Sequence, residues 1–326
     1  MKASKVIPIV VSPDDNYVIP TYIMLHSLIQ NKGDEDIYDI VILANDLQKE
    51  NSNFLKSLEK EGNNIRVREL TVGDVFKQTE IVLTYISVAA LYRLMLPKLL
   101  PEYDKCIYID GDALIQGDIS TAFHIDIRDN YIGAVRDIEA ERYINEFDYE
   151  ITPPTDAYVN SGFLLMNLRK MREDELTEHF KNLSQKKFLF IDQDILNICC
   201  HGKIYFLPLK CNAMVKYRFL HYRMKEYANN VTDYFTLDEI YEAQDDPIMI
   251  HYAQPIKPWH CKYVYKGDDW RKYVKHEIKN AEANLRIKQY IKDNRKPFSV
   301  QIKLGVRYLL RKTFAFKLLL KMKGKI

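Results

Sequence analysis

The chain has 326 residues with 47 Lys and Arg against 45 Asp and Glu, a formal charge of +2, and the composition of an ordinary globular protein long enough to bury one or two cores. Its five cysteines (Cys106, Cys199, Cys200, Cys211 and Cys261) are odd in number, scattered and without a Cys-x-x-Cys pair, which argues against a disulfide framework or a zinc cluster and fits a reducing compartment. No apolar run is long enough to span a bilayer, and the short apolar stretch near the N-terminus reads as a first strand, not a signal peptide.

In chain order, residues 6–11 form a short apolar strand that ends in the polar turn Ser12-Pro13-Asp14-Asp15-Asn16-Tyr17. A helix over 18–30, a strand over 38–44, an amphipathic helix over 47–61 and a strand over 65–70 follow. This is the βαβ rhythm of a nucleotide-binding sheet. No Gly-x-Gly-x-x-Gly follows the first strand, and no Gly-x-x-x-x-Gly-Lys-Ser/Thr occurs anywhere, so the usual dinucleotide and P-loop readings are disfavoured. Residues 87–96 read as a helix carrying Arg93 and stopped by Pro97. The apolar, β-branched run that begins at Lys105 reads as a buried parallel strand. Further strands are expected over 131–135, ending at Arg136-Asp137, and over 160–167. Residues 138–158 look like a surface excursion over the site. A charged helix is expected over 169–183 and a short one opening at Ile191, with acids where the helix dipole favours them. A strand over 203–207 and a last one over 247–252 flank the stretch 213–246, which is rich in Tyr, Arg and acids and has no clear period.

The run from Lys105 stops abruptly at Asp110-Gly111-Asp112. In an open α/β sheet, ligands sit beyond the carboxyl ends of the strands. Residues i and i+2 of a strand point to the same side, and Gly111 loosens the backbone between them. Two carboxylates held that close repel unless a cation lies between them. Their oxygens suit Mg²⁺ or Mn²⁺, ions that bridge protein carboxylates to substrate phosphates. The residues thus point to a metal-diphosphate site, the other reading of an isolated Asp-Gly-Asp being the start of a loop.

Three further segments join this one: Asn160-Ser161-Gly162-Phe163-Leu164-Leu165-Met166-Asn167-Leu168, Asp192-Gln193-Asp194-Ile195-Leu196-Asn197, and His251-Tyr252 with Lys257-Pro258-Trp259. In this order the set resembles the family 8 glycosyltransferases over roughly residues 6–270. These are retaining enzymes of the GT-A fold, and they include bacterial lipopolysaccharide galactosyl- and glucosyltransferases. The resemblance implies a Rossmann-like α/β domain over 1–270, a mixed, mostly parallel sheet flanked by helices, followed by a helical region over 271–326. It implies Mn²⁺ (or Mg²⁺) held by Asp110, Asp112 and His251 against the diphosphate of a UDP-sugar. Asp14, Asn16 and Tyr17 would bind uracil and ribose; Arg93, Asp137, Asn160 and Asp192 would hold the sugar and its phosphate; Lys257 would contact a phosphate. Gln193 would lie beneath the anomeric carbon. An amide is a poor nucleophile, so retention would proceed by same-face displacement with Gln193 stabilising oxocarbenium charge, unlike the two-carboxylate route of retaining glycosidases.

The chain departs from the family at Gln254, followed by Pro255, where the family usually has a glycine three residues after the histidine. A side chain there would crowd the diphosphate, or the loop takes another path. Two other classes fit the residues less well. A phosphatase of the haloacid-dehalogenase type places its Asp-x-Asp on the first strand and follows it with Thr or Val; here three strands precede it and Ala113 follows. A catalytically inactive, membrane-tethered UDP-sugar-binding protein is disfavoured by intact Asp110, Asp112, Gln193 and His251.

Residues 297–326 carry eight cations and no acid, so the rest of the chain is mildly acidic. Lys303, Arg307 and Arg311 recur at i+4, as do Lys317, Lys321 and Lys325, beside an apolar stripe. This basic amphipathic tail reads as an interfacial helix on an anionic membrane, with no folded nucleic-acid motif beside it. It places the protein in the cytoplasm at the inner face of the cell membrane, with a glycan or glycolipid acceptor.

Overall fold

The computed structural model describes residues 6–222 and 234–311. The chain divides into two compact units, Met1–Cys211 and Asn212–Ile326. In the first, β1 (Val6–Val11), α1 (Val18–Gln30), β2 (Ile37–Leu43), α2 (Lys49–Lys56) and β3 (Ile65–Leu70) deliver the expected alternation. Then come α3 (Leu96–Leu99), β4 (Lys105–Ile109), β5 (Ala113–Ile115), α4 (Ser120–Phe123), β6 (Ile132–Arg136), α5 (Ala140–Ile144), β7 (Val159–Asn167), α6 (Leu168–Glu173), α7 (Leu176–Leu183), α8 (Ile191–Cys199) and β8 (Ile204–Phe206).

Seven strands make one sheet in the order β3-β2-β1-β4-β7-β6-β8. β7 alone runs against its neighbours β4 and β6, while the remaining pairs are parallel. The strand order turns back between β1 and β4, which places a ligand crevice at their carboxyl ends. α1 is buried from Val18 to Ile29, packed against β5 and against α2, where Tyr22 stacks on Phe54 with ring centres 4.2 Å apart. Ile115 donates its backbone N–H to Ser27 Oγ at 2.9 Å, and that hydroxyl in turn donates to Met24 O at 2.6 Å.

Several expectations change in detail. The run from Lys105 breaks after Ile109, and β5 lies outside the seven-stranded sheet. Residues 88–95 form a 3₁₀ helix, and Pro97 sits in the first turn of α3. It therefore starts a helix and does not stop one, since its missing N–H falls where helices leave donors unpaired anyway. The single charged helix expected over 169–183 is two, broken at Asp174 and at Glu175, whose φ of 53° is left-handed. The helix expected over 47–61 passes from α2 into a 3₁₀ turn, Ser57–Lys60. The excursion 138–158 contains α5, whose Ala140 and Ile144 pack with Tyr158.

The second unit holds β9 (Ala213–Met214), α9 (Leu237–Asp245), β10 (Met249–His251), α10 (Gly267–His276), α11 (Ala281–Asn294) and α12 (Phe298–Arg311). β9 and β10 pair in parallel, with His251 opposite Met214. The stretch without a period contains α9, started by a reciprocal capping box between Thr236 and Glu239. Residues 223–233 of that stretch and 312–326 of the tail lie outside the described residues.

Gly111 is fixed by a close approach. A Cβ there would lie 2.2 Å from Thr21 Oγ1 and 3.4 Å from Thr21 Cα, so α1 presses directly on the turn between the two carboxylates. Gly111→Ala is expected to lower stability by about 1–3 kcal/mol, measured by urea denaturation, with Thr21→Ala in the same chain recovering most of the loss. An unchanged midpoint in the single variant would contradict this packing.

Candidate active site

At the carboxyl end of β4 the backbone turns, and the carboxylate oxygens of Asp110 and Asp112 lie within 4.8 Å of each other. Asp112 is 8 % exposed. The one guanidinium among them is Arg93, itself 3 % exposed. Its Nη2 donates to Asp110 Oδ1 at 2.8 Å, its Nη1 to Ser161 O at 2.6 Å and its Nε to Ala90 O at 2.8 Å. Nε also lies 3.2 Å from Asp192 Oδ2. The guanidinium carbon stands 4.0 Å from the centre of the Tyr108 ring, a cation–π contact in a dry setting. The Tyr108 and Ser12 hydroxyls are 2.6 Å apart, which ties the end of β1 to that of β4.

Burial works against the charge of Arg93, yet Asp110 and Asp192 raise its pKa above the usual arginine range. Asp192 is pushed up to about 6, first by burial and then by the charge of Asp110, with Arg93 pulling the other way. Asp110 and Asp192 share the Arg93 guanidinium, and the oxygens of Asp110 and Asp112 come close together beside it. That is the condition under which hard oxygens accept a divalent cation.

Asp192 and Gln193 come from the first turn of α8, not from a strand end, and both are buried. Gln193 Oε1 accepts from Asn160 Nδ2 at 2.9 Å and from Ser161 N at 3.1 Å. Asn160 Oδ1 accepts from Gly162 N at 3.0 Å, which holds the start of β7 in shape. Asn197, one helical turn beyond Gln193, pairs with both backbone groups of Val159, at 2.7 and 2.9 Å. It takes the place of a neighbouring strand and locks α8 to β7. Asp137 follows β6; its N–H donates to Tyr158 O at 3.0 Å and its Oδ1 accepts from Glu139 N at 3.3 Å.

Beyond β1, Asp14 caps the 3₁₀ turn Asp15–Tyr17 by accepting from Asn16 N at 2.9 Å and Tyr17 N at 3.1 Å. Asp15 anchors the turn sideways, accepting from Gln48 N and Asn51 Nδ2. Tyr17 is half-buried and Asn16 exposed.

In the second unit, His251 is buried and its Nδ1 lies 2.9 Å from Asn212 Oδ1. The Asn212 amide so placed orients the imidazole ring, the outer-shell role that positions a metal-ligating histidine. Lys257 is buried and its Nζ donates to Tyr252 O at 2.9 Å. That carbonyl also accepts from Gln254 N at 2.7 Å. Gln254 is not among the residues of positive φ, so the loop takes a path that a side chain tolerates. His260 Nδ1 accepts from Lys257 N at 3.2 Å. Burial, Lys296 and Lys257 hold its pKa down to about 4, so it is neutral near pH 7.

The structure thus joins Arg93, Asp110, Asn160, Asp192 and Gln193 by direct contacts, with Asp112 beside them. It places Asp14, Asn16, Tyr17 and Asp137 at neighbouring strand ends, and His251 and Lys257 together in the second unit. The sequence reading missed Tyr108, Ser12, Tyr158, Asn197 and Asn212. Two of these had a signal: Asn197 stands four residues after Gln193 on one helix, and Tyr158 two before Asn160. Asn212 belongs to no pattern.

A mostly parallel sheet flanked by helices, with an acidic pair at its switch point, defines a GT-A-type transferase fold. The sequence profile described as Glycosyl transferase family 8 matches residues 8–262, and the chain belongs to that family. It is 29 % identical over 279 residues to a lipopolysaccharide 1,2-glucosyltransferase of Escherichia coli, covering 80 % of this chain and 73 % of that one. It is 25 % identical over 298 residues to general stress protein A of Bacillus subtilis (strain 168), covering 89 % and 100 %. Among solved structures, the apo bifunctional glycosyltransferase WbbM superposes with a TM-score of 0.69 at 28 % identity, over 89 % of this chain and 52 % of that one. The galactosyltransferase LgtC, solved with donor and acceptor sugar analogues, shares the fold at 23 % identity and a TM-score of 0.64, over 85 % and 98 %.

The unfolded chain releases the Asp192 proton near pH 4, the folded chain near pH 6. Between these values the folded state holds the extra proton, so this group's contribution to stability falls as pH rises through the window. In Asp192→Asn that limb is absent. The variant's stability relative to wild type should therefore rise by the order of 3 kcal/mol from pH 4 to pH 6.5 and stay level above, as measured by denaturant unfolding. A pH-independent difference would contradict it.

Proposed function

We propose that the protein is a metal-dependent, retaining hexosyltransferase that moves galactose or glucose from a UDP-sugar to a hydroxyl of a bacterial lipopolysaccharide or other cell-surface glycan. The observation that carries this reading is the Arg93 cluster: three acidic groups and Gln193 gathered at the β1/β4 switch point, in a chain of glycosyl transferase family 8. Asp110 and Asp112 are the hard ligands, and His251, its ring oriented by Asn212, is the third ligand that the family pattern implies. An imidazole in the set favours Mn²⁺ over Mg²⁺. When bound, the ion supplies Lewis-acid stabilisation of the departing diphosphate.

The chain's own groups do the rest. The turn Asp14–Tyr17 holds the uridine, with Tyr17 as a stacking face and Asp14 and Asn16 reading polar edges. Lys257 neutralises phosphate as a point charge. Asp137, Asn160 and Asp192 accept from or donate to sugar hydroxyls. Arg93 holds Asp110 and Asp192 apart and in register. Gln193 lies under the anomeric carbon, where its dipole stabilises oxocarbenium charge while the acceptor hydroxyl attacks from the face that UDP leaves. The test is UDP release from a panel of UDP-sugars without acceptor, with Mn²⁺ or with EDTA. Metal-dependent release from UDP-galactose or UDP-glucose is expected; release unaffected by EDTA, or from none of the panel, would overturn the reading.

The tail completes the proposal. α12 turns Gln301 and Gly305 inward, Gly305 lying close against Tyr263. It exposes Phe298, Val300, Ile302, Val306 and Leu309, with Lys303 and Arg307 also exposed. An outward face that is apolar and cationic suits an anionic bilayer surface, where a lipid-linked acceptor sits. No helix among the described residues is long and apolar enough to cross a membrane. The doubly substituted Ile302→Glu/Val306→Glu protein should lose sedimentation with phosphatidylglycerol vesicles and keep its UDP release; retained sedimentation would remove the membrane assignment.

A further inference from the structure

We infer that Tyr158 is a positioning residue that fixes which end of the Gln193 amide faces the sugar site. The inference rests on the reading of Gln193 given above. The Tyr158 ring is 1 % exposed and packed with Ala140 and Ile144, so its hydroxyl has one place to be. That hydroxyl donates its single proton to Asp194 Oδ1. Asp194 is wholly buried and accepts as well from Tyr149 Oη at 3.0 Å and Phe190 N at 2.8 Å. With its proton committed, the Tyr158 oxygen offers only lone pairs to Gln193, whose Nε2 donates to it at 3.2 Å.

At the other end, Oε1 receives two donors, Asn160 Nδ2 and Ser161 N. A flipped amide would set its oxygen against lone pairs and its NH₂ against two N–H donors. Buried polar groups left unpaired in that way cost far more than a hydrogen bond gains. The amide therefore has one orientation, imposed from one side by Asn160 and Ser161 and from the other by Tyr158. Burial and the Asp194 charge hold the Tyr158 phenol protonated, well above the ordinary tyrosine range, so this holds across the working pH range.

Tyr149 provides the control. It donates to the same carboxylate, and no contact with Gln193 is assigned to it, so a purely structural effect of removing a donor from Asp194 appears in Tyr149→Phe and Tyr158→Phe alike. The experiment is a double-mutant cycle on metal-dependent UDP release, with wild type, Y158F, Q193A, the double variant and Y149F, and the thermal midpoint of each. Y158F is expected to lower kcat about tenfold with KM for the UDP-sugar within twofold. It should cost nothing further in the Q193A background, and Y149F should leave kcat within twofold of wild type. Multiplicative losses in the double variant, equal kcat losses in Y149F and Y158F, or an effect confined to KM would overturn the inference. Wild type without turnover would overturn the functional reading beneath it. A readout independent of any Tyr158 variant is hydrogen exchange at the Gln193 side-chain amide, assigned by its loss in Q193A. Slow exchange of the proton facing Tyr158 is expected, and rapid exchange of both amide protons would contradict it.

Discussion

The site depends on one buried guanidinium. Arg93 is surrounded by protein, and its three nitrogens donate to three parts of the chain, Asp110 beyond β4, Ser161 on β7 and Ala90 in its own 3₁₀ helix, with the Asp192 carboxylate of α8 paired alongside. Removing one partner of such a buried pair costs about 3–5 kcal/mol, because the other is left charged and unsolvated. The arrangement is thus costly to disturb and hard to relax. It holds the carboxylates of Asp110 and Asp192 at fixed separation, beside the Asp110–Asp112 pair whose oxygens suit a divalent cation.

The backbone around the cluster is arranged for close approach. Thr21 of α1 rests on Gly111, the only residue type that leaves room there. Tyr108 presents its ring to Arg93 and its hydroxyl to Ser12, so the ends of β1 and β4 move as one piece. Asn197 seals the edge of β7 with side-chain hydrogen bonds, and this fixes the first turn of α8, where Asp192 and Gln193 stand. The crevice at the switch point is therefore lined by groups whose supports are buried.

β1, β2, β4 and β6 were legible because each is a short, buried apolar run bounded by turn residues, whereas β5 is hidden in the same apolar run as β4. Asp110, Asp112, Asn160, Asp192, Gln193 and His251 were legible because they form motifs. Other features were not, each for a physical reason. Pro97 reads as a stop, and only the backbone shows that it lies in a first turn. The break at Glu175 needs a left-handed residue, which an ordinary glutamate does not announce. α9 is set by a capping box inside a stretch whose apolar residues keep no period. Tyr158 and Asn212 touch residues distant in sequence, Gln193 and His251; Tyr158 has only its place two before Asn160 to mark it, and Asn212 has no marking spacing at all. At Gln254, where the family usually has a glycine, the backbone stays out of the left-handed region, so the side chain is accommodated without backbone strain.

On the proposed function, the Asp110–Asp112 pair binds a divalent ion together with a nucleoside diphosphate. The direct measurement is calorimetric titration of UDP into the protein with Mn²⁺ and with EDTA, repeated on Asp112→Asn. UDP binding that needs Mn²⁺ and is lost in the variant is the result predicted. Binding of equal strength in EDTA, or undiminished in Asp112→Asn, would contradict the account.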